Sequence, residues 1–171
     1  MQELDFHAGE DAMVESFAPE NRYGVVFEDD GETGYFYAVE KDADGSGLRV
    51  LDALHIYEGD EGPDEANEGV LVGEIGEVED AGEAGADTDE EGEDAGQGGD
   101  SSEGDDGAKS HLQIVWSRDW LKCALVIDGF CQAIFDFEGQ NGYNINEFPP
   151  ANEFWSKGGR ELTDEIIHRF F

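Results

Sequence analysis

The sequence predicts an α+β domain, built mainly from an antiparallel sheet of about six strands in two three-stranded meanders, with a C-terminal helix. Two groups of short segments are rich in β-branched and aromatic residues and are divided by turn-forming clusters. A strongly acidic segment separates the two groups, and only the C-terminal residues show clear helical spacing. The length of 171 residues suits one domain of ordinary size, so we expect residues 1–171 to form a single unit.

The first meander is predicted before the acidic segment. Residues 22–28 (RYGVVFE) and 35–40 (YFYAVE) are separated by the turn cluster DDGETG, which predicts a β-hairpin. A second turn, DADGSG, leads into LRVLDALHIY, whose alternating apolar residues predict a third strand with a bulge near Asp52 and Ala53. We also expect an N-terminal helix around residues 12–17, as a second cover for the sheet.

The second meander is predicted after the acidic segment, from residues 111–117 (HLQIVWS), 120–127 (WLKCALVI) and 130–137 (FCQAIFDF). The middle segment is apolar on both faces, which is typical of a central strand in a covered sheet. The cover is predicted to be a C-terminal helix that begins after Thr163 or Arg160. Its apolar side chains at helical spacing are Leu162, Ile166, Ile167 and Phe170.

Residues 58–107 form the acidic segment, which contains 21 Asp and Glu residues and no Lys or Arg. Such a segment cannot bury enough apolar surface to offset its ordering entropy, and its charges repel one another. We therefore predict a disordered acidic insertion over residues 79–110. A short edge strand is predicted just before it, in residues 69–78 (GVLVGEIGEV).

The two cysteines, Cys123 and Cys131, flank a predicted Asp-Gly hairpin turn. The register that this turn sets places Cys131 opposite Val126. It places Cys123 opposite Ile134, on the other face of the sheet. The sequence therefore predicts two free, buried thiols and no disulfide, as is usual for a protein of a reducing compartment.

The net charge of -35 bounds the possible partners. It disfavours binding to nucleic acid and to anionic membranes, because proteins bind both through Lys and Arg side chains. It favours binding to a basic protein or to cations. The first residues lack the features of a signal peptide, and no apolar stretch approaches the roughly 18 residues of a membrane span, so we expect a cytoplasmic protein. Outside residues 58–107 there are 23 acidic and nine basic residues, which leaves adaptation to high salt open as another reading of the charge.

Familiar catalytic and metal-binding motifs are absent from the sequence. It has no GxSxG, GxxxxGKS or GxGxxG loop, no HExxH and no Cys/His cluster, and DADGSG does not continue as an EF-hand. We therefore assign no catalytic residue, no metal ligand and no cofactor.

The candidate binding residues are polar or aromatic positions within the predicted strands: His55, Tyr57, Trp116, Trp120 and Asp136. His55 follows Asp52 closely and has the chemistry of an acid, a base or a ligand. Asp136 lies between two phenylalanines in a predicted strand, and no turn accounts for an aspartate at this position. Each of these residues also has a structural explanation. His55 can be a strand histidine beside a local carboxylate, and Asp136 can face solvent at a sheet edge. The aromatic residues can belong to the core.

Several of these segments together resemble a known bacterial family. The runs YGVVFEDDGETGYFYAVE, LDALHIY, IVWS, ALVIDGF, AIFDF and GY…FPP are similar to an uncharacterised family known only as a domain of unknown function. The resemblance covers residues 21–57 and 111–155. It implies a small cytoplasmic α+β domain without an assigned activity, so no catalytic residue is carried over. The long acidic insertion and the turn SRDW, where a tighter Asp-Gly turn is expected, depart from the family pattern.

Charge and missing motifs lead to one main hypothesis and two alternatives. The main one is a non-enzymatic protein-interaction or regulatory module that binds a basic protein through an aromatic and acidic surface near His55, Trp116 and Asp136. The first alternative is an immunity-type inhibitor or nucleic-acid mimic that binds a basic protein. The second is a small hydrolase or ligand-binding enzyme that uses His55 and Asp136. The sequence leaves the oligomeric state open.

Overall fold

The computed structural model describes residues 1–20, 22–59 and 109–171. Within them the chain forms β1 (Gln2–Phe6), β2 (Ala12–Phe17), β3 (Tyr23–Asp29), β4 (Thr33–Lys41), β5 (Leu48–Glu58), β6 (Ser110–Trp116), β7 (Lys122–Ile127), β8 (Phe130–Asp136), β9 (Asn141–Asn144) and α1 (Asp164–Phe170). The predicted strand at 69–78 and the insertion predicted at 79–110 lie outside the described residues, except for positions 109 and 110. Ser110 already belongs to β6.

The strands form two antiparallel sheets. The five-stranded sheet has the order β1-β6-β7-β8-β9, and the four-stranded sheet has the order β2-β3-β4-β5. Both predicted meanders are confirmed, as β3-β4-β5 and β6-β7-β8, and each lies in its own sheet. The described residues thus form an α+β fold that consists mostly of antiparallel sheet.

The main core lies between the two sheets. Phe36 of the four-stranded sheet and Phe135 of the five-stranded sheet are fully buried, with ring centroids 5.1 Å apart. Phe6 and Phe27 make a second contact between the sheets at 5.4 Å. Because each strand alternates its side chains between two faces, one face of each sheet supplies this core.

The second face of the five-stranded sheet is covered by α1, as predicted. Ala124, Cys131 and Ile134 are buried there together with Ile167 of the helix. Thr163 caps the helix, because its side chain accepts a hydrogen bond from the Ile166 backbone N–H. The central strand β7 is consequently buried on both faces.

The helix predicted at residues 12–17 is wrong, because this segment is the strand β2. Val14 is buried whereas Met13 and Glu15 are exposed, which is the two-residue period of a strand. Pairing with β3 supplies the backbone hydrogen bonds of this segment. Six residues are too few for helical and strand periods to be told apart by composition.

The two cysteines are free and buried, and they lie on different faces of the sheet, as predicted. Cys131 is opposite Val126, but Cys123 is opposite Phe135 rather than Ile134. A register shift between Leu125 and Val126 displaces the pairing by one residue. The bulge predicted in β5 is present, because the pairing with β4 skips Leu51, next to Asp52.

The loop after β9 joins the free edge of β5 to the five-stranded sheet. The His55 backbone N–H donates to the Phe148 carbonyl at 3.0 Å, and the Asn144 side-chain amide donates to the His55 carbonyl at 2.8 Å. These bonds satisfy backbone groups that an edge strand leaves open. They also bring the Phe148 ring beside His55 on the outer face of the four-stranded sheet.

Candidate functional site

No helix or strand of the described residues packs on the outer face of the four-stranded sheet. The cross-strand register places Met13, Glu28, Tyr35 and His55 in one row of this face, and Glu15, Val26, Tyr37 and Ala53 in the next. We call the side chains of Glu15, Glu28, Tyr35, Tyr37, His55 and Phe148 the tyrosine face. Neighbouring strands bring these side chains together because directly opposite residues are about 5 Å apart.

Four rings form a continuous strip on the tyrosine face. Tyr35 and Tyr37 are stacked with centroids 5.8 Å apart, since they are two residues apart on the same side of β4. The His55 ring lies nearly perpendicular to the rings of Tyr35 and Phe148, with centroid distances of 5.4 Å and 5.9 Å. Phe148 remains 51% exposed. The strip is therefore an apolar, aromatic surface that solvent and a partner can reach.

Carboxylates lie beside this aromatic strip. Glu15 and Glu28 are exposed, and the negative charge of Glu28 acts on the Tyr37 hydroxyl. Burial and then the negative charge of Glu28 raise the pKa of Tyr37, so its hydroxyl stays protonated at neutral pH. At the end of this face, Lys41 Nζ lies 4.1 Å from the centroid of the Phe17 ring. The tyrosine face thus combines three half-buried rings and the exposed Phe148 ring with negative charge.

The hydrogen bonds of Asn146 determine the tautomer of His55. Asn146 Oδ1 accepts from the Asn144 side chain at 2.8 Å and from the Phe148 N–H at 3.0 Å. Its Nδ2 therefore points toward His55 Nδ1, 2.6 Å away, and donates to it. This pattern assigns the ring proton of neutral His55 to Nε2.

His55 Nε2 is buried and has no hydrogen-bond partner among the described residues. The closest carboxylate is Glu58, whose Oε1 is 3.8 Å away. A buried donor without an acceptor is uncommon in native proteins. Because solvent does not reach Nε2, a partner on the tyrosine face contacts the His55 ring rather than this atom.

Tyr57, a predicted binding residue, is buried at 4% exposure and belongs to the core between the sheets. Its hydroxyl donates to Asp29 Oδ2 at 2.5 Å, and the same carboxylate accepts the backbone N–H groups of Gly9 and Gly31. Tyr57 thus stabilises the loops around Asp29 and is not available to a surface partner.

The predicted residues Trp116 and Trp120 form a separate aromatic group, with ring centroids 6.0 Å apart. Trp116 is stacked on Phe137 at 5.8 Å, and its indole N–H donates to Ser16 Oγ at 2.9 Å. These contacts join β6 to β2, so they hold the two sheets together.

Asp136 lies on the helix-covered face of the five-stranded sheet, directly opposite Lys122. His55 lies on the outer face of the other sheet, and the core separates the two side chains. The structure does not bring His55 and Asp136 together, so they form no catalytic pair. The described residues also contain no group of three His, Cys, Asp or Glu side chains able to hold a metal ion.

Sequence reasoning named His55 as a candidate but missed Tyr35, Tyr37 and Glu28. The signal for the tyrosines was the alternation in YFYAV, which places both on one side of a strand. Phe148 carries no comparable signal, because it lies in a loop that only the fold brings to β5.

A family model described as "Uncharacterized protein conserved in bacteria (DUF2251)" matches residues 6–72 and 100–171. An uncharacterized protein of Haemophilus influenzae is 27% identical over 145 residues. That alignment covers 84% of this chain, whereas the chain spans 62% of the length of that relative. No solved structure matches the chain with significance. Among the described residues, the structure contains no helix long and apolar enough to cross a membrane.

Proposed function

Because the chain belongs to the uncharacterized bacterial family DUF2251, we propose its function from its own surface. It is a non-enzymatic module that binds a basic segment of a partner protein on the tyrosine face. The observation that supports this proposal is the half-buried Tyr35–Tyr37 stack, which lies beside the exposed carboxylate of Glu28 on an uncovered sheet face. Arginine side chains stack on tyrosine rings and pair with carboxylates, so this surface matches their chemistry.

The ring of His55 enlarges this surface, because it lies between the rings of Tyr35 and Phe148. The rings would supply contact area, and the Glu28 carboxylate would supply charge complementarity.

The overall charge supports the same class of partner. A net charge of -35 attracts a basic protein over distances beyond direct contact, which raises the rate of encounter at low salt. The two free cysteines fit a reducing compartment, so we expect this partner in the cytoplasm.

A narrower form of the proposal is an immunity-type inhibitor or nucleic-acid mimic, whose basic partner is a toxin or a nuclease. The acidic excess of the chain favours it, because a nuclease presents a basic surface to its substrate. The enzymatic alternative with His55 and Asp136 receives no support, since the two side chains lie on opposite outer faces.

The test is the binding of a fluorescent oligo-arginine peptide, as a stand-in for the basic segment, at about 0.15 M salt, where charges are screened beyond roughly 8 Å. We expect Tyr35→Ala/Tyr37→Ala and Glu28→Lys each to weaken binding by about tenfold, which corresponds to the loss of a contact of ordinary strength. Fluorescence anisotropy titrations give the dissociation constants, and circular dichroism verifies that each variant is folded.

Matched variants elsewhere on the surface make this test specific. Glu138→Lys changes the charge as much as Glu28→Lys but lies in the turn after β8, and Phe154→Ala removes an aromatic ring that is 75% exposed. We expect both to bind the peptide as wild type does. Equal losses for Glu28→Lys and Glu138→Lys would show that the charge acts diffusely, and the tyrosine face would no longer be the proposed site.

A further inference from the structure

A pocket of about 160 Å³ lies on the opposite side of the molecule, between the five-stranded sheet and α1. Its apolar part comes from Ile134 of β8 and from Ile166 and Phe170 of the helix. Its polar part consists of Lys122, Asp136, Tyr143 and Arg169. The pocket is independent of the tyrosine face, because it belongs to the other sheet.

The charges of this pocket are unlike those of the rest of the chain. Two of only nine basic residues, Lys122 and Arg169, line one small cavity. Lys122 makes no ion pair with a carboxylate in the part of the chain that the structure describes, and Arg169 pairs with Glu165 on the exposed side of α1. A chain with a net charge of -35 repels anions in general, but these two cations create a small region that can attract an anion.

Tyr143 adds a hydrogen-bond donor to the two cations. It is opposite Ile134 in the sheet, which directs both side chains to the same face. Burial raises the pKa of Tyr143, the charge of Asp136 adds to this rise, and Arg169 opposes it. The phenol is therefore protonated at neutral pH and can donate to an anion.

We propose that this pocket binds a small carboxylic acid with an apolar body. Lys122, Arg169 and the Tyr143 hydroxyl hold the carboxylate. Ile134, Ile166 and Phe170 contact the apolar part of the ligand. The carboxylate of Asp136, directly opposite Lys122, adds negative charge to the pocket, so a carboxylate monoanion is favoured over a phosphate dianion.

The size of the pocket limits the ligand to a molecule similar to benzoate. A cavity of about 150 Å³ in another protein accommodates benzene, so the present volume suits one ring or a short branched chain with its carboxylate. A ligand of this size is compatible with a dissociation constant of about 1 mM or lower.

The experiment is a set of amide chemical-shift titrations of the full chain with benzoate, benzyl alcohol, benzylamine and phenyl phosphate. We expect saturable shifts with benzoate that are confined to β7, β8, β9 and α1, and weaker binding of the other three compounds by at least about tenfold. Benzyl alcohol retains the apolar body without the charge. Phenyl phosphate tests the role of Asp136.

Variants assign the binding to the two cations. Lys122→Met removes the charge and retains most of the apolar stem of the side chain. Arg169→Gln changes a side chain that is 75% exposed, so this variant should fold as the wild type does. We expect each to weaken benzoate binding by about tenfold and Lys157→Met, an exposed lysine elsewhere, to leave it unchanged. The proposal is overturned if benzoate does not saturate the shifts, or if benzyl alcohol or phenyl phosphate binds as tightly as benzoate. It is also overturned if Lys157→Met weakens benzoate binding as much as Lys122→Met does.

Discussion

Arg160 and Asp52, which are 108 residues apart in the sequence, form a two-point ion pair inside the protein, with N–O distances of 2.6 and 2.7 Å. Each side chain is only 2% exposed. Asp52 belongs to β5 and Arg160 to the segment before α1, so this pair holds the C-terminal segment against the four-stranded sheet. Ser156 Oγ lies 3.4 Å from the same guanidinium and supplies a further acceptor.

The first prediction concerns the cost of breaking this pair. Arg160→Met leaves the Asp52 carboxylate buried without a counter-charge, so we expect the free energy of unfolding to fall by about 3–5 kcal/mol. The double variant Asp52→Leu/Arg160→Met removes both charges and should be more stable than Arg160→Met alone. Urea unfolding monitored by tryptophan fluorescence gives the free energy of unfolding of the wild type and of both variants.

The control for this prediction is Arg169→Met, which removes an exposed ion pair on α1. Exposed pairs contribute about 0–1 kcal/mol, so this change should leave the free energy of unfolding almost unaltered. An Arg160→Met protein as stable as Arg169→Met would mean that the buried pair does not stabilise the C-terminal segment.

The second prediction concerns Tyr57 and its dependence on pH. Burial and the hydrogen bond to Asp29 raise the pKa of Tyr57 well above its ordinary value. Because the folded-state pKa is the higher one, this stabilisation is complete below the unfolded-state pKa of about 10 and is lost as the pH rises above it. The free energy of unfolding of the wild type should therefore fall more steeply above pH 10 than that of Tyr57→Phe, by up to about 1.4 kcal/mol per pH unit.

Urea midpoints measured at a series of pH values from about 8 to about 11 test this difference. At neutral pH, Tyr57→Phe should also cost about 1–3 kcal/mol, because Asp29 loses one of its donors inside the protein. Other buried phenols and thiols titrate in both proteins, so the difference between the two curves reports Tyr57. Parallel curves would show that Tyr57 ionises alike in the folded and unfolded chains.

The hairpins of this fold are predictable from the sequence because the information for them is local. β3 and β4 are β-branched and aromatic, and a turn cluster separates them, so strand and turn signals agree. β1 is different: its mostly polar residues pair with β6, with Gln2 opposite Ile114. No local pattern can reveal a partner more than a hundred residues away. β9 (NGYN) pairs with the neighbouring strand β8, but its four residues are too few and too polar to indicate a strand.

The third prediction concerns the two thiols. Burial raises the pKa of Cys131 to about 12 and that of Cys123 well above its ordinary range. Since only the thiolate reacts, neither cysteine should be labelled by a disulfide reagent at neutral pH while the protein is folded. The labelling rate should follow the unfolded fraction as urea is added.

Asn152→Cys provides the positive control, because position 152 is exposed and should react at once. Rapid labelling of the wild type before any unfolding transition would show that Cys123 or Cys131 is accessible in the native protein. Mass spectrometry after labelling identifies which of the two has reacted.

The site was only partly predictable, for a reason that concerns packing. The alternation in YFYAV shows that Tyr35 and Tyr37 share a face, but it cannot show whether that face is covered. The sequence has one clear C-terminal helix, and the fold places it on the five-stranded sheet, which leaves the tyrosines uncovered. The apolar pattern of residues 120–127 on both faces already indicates that this helix covers the second meander. The error concerned residues 12–17, which were predicted to be a second helical cover and instead form the strand β2.

The last prediction concerns the electrostatics of the tyrosine face. Burial is the main cause of the raised pKa of Tyr37, and the negative charge of Glu28 is the second. Glu28→Gln should therefore lower this pKa without restoring its ordinary value, because burial remains. The pH titration of the Tyr37 ring carbon signals in an NMR spectrum follows this change. A variant whose Tyr37 titrates as in wild type would show that Glu28 does not act on the hydroxyl.

Glu15→Gln is the matched control, because Glu15 is an exposed acid on the same face and is not among the groups that raise the pKa of Tyr37. We expect it to leave the titration of Tyr37 nearly unchanged. A bound oligo-arginine peptide should act in the same direction as Glu28→Gln, since a cation near a phenol favours its ionised form. Because this second shift appears only when the cations reach Tyr37 itself, it separates binding on the tyrosine face from a loose attraction to the acidic chain.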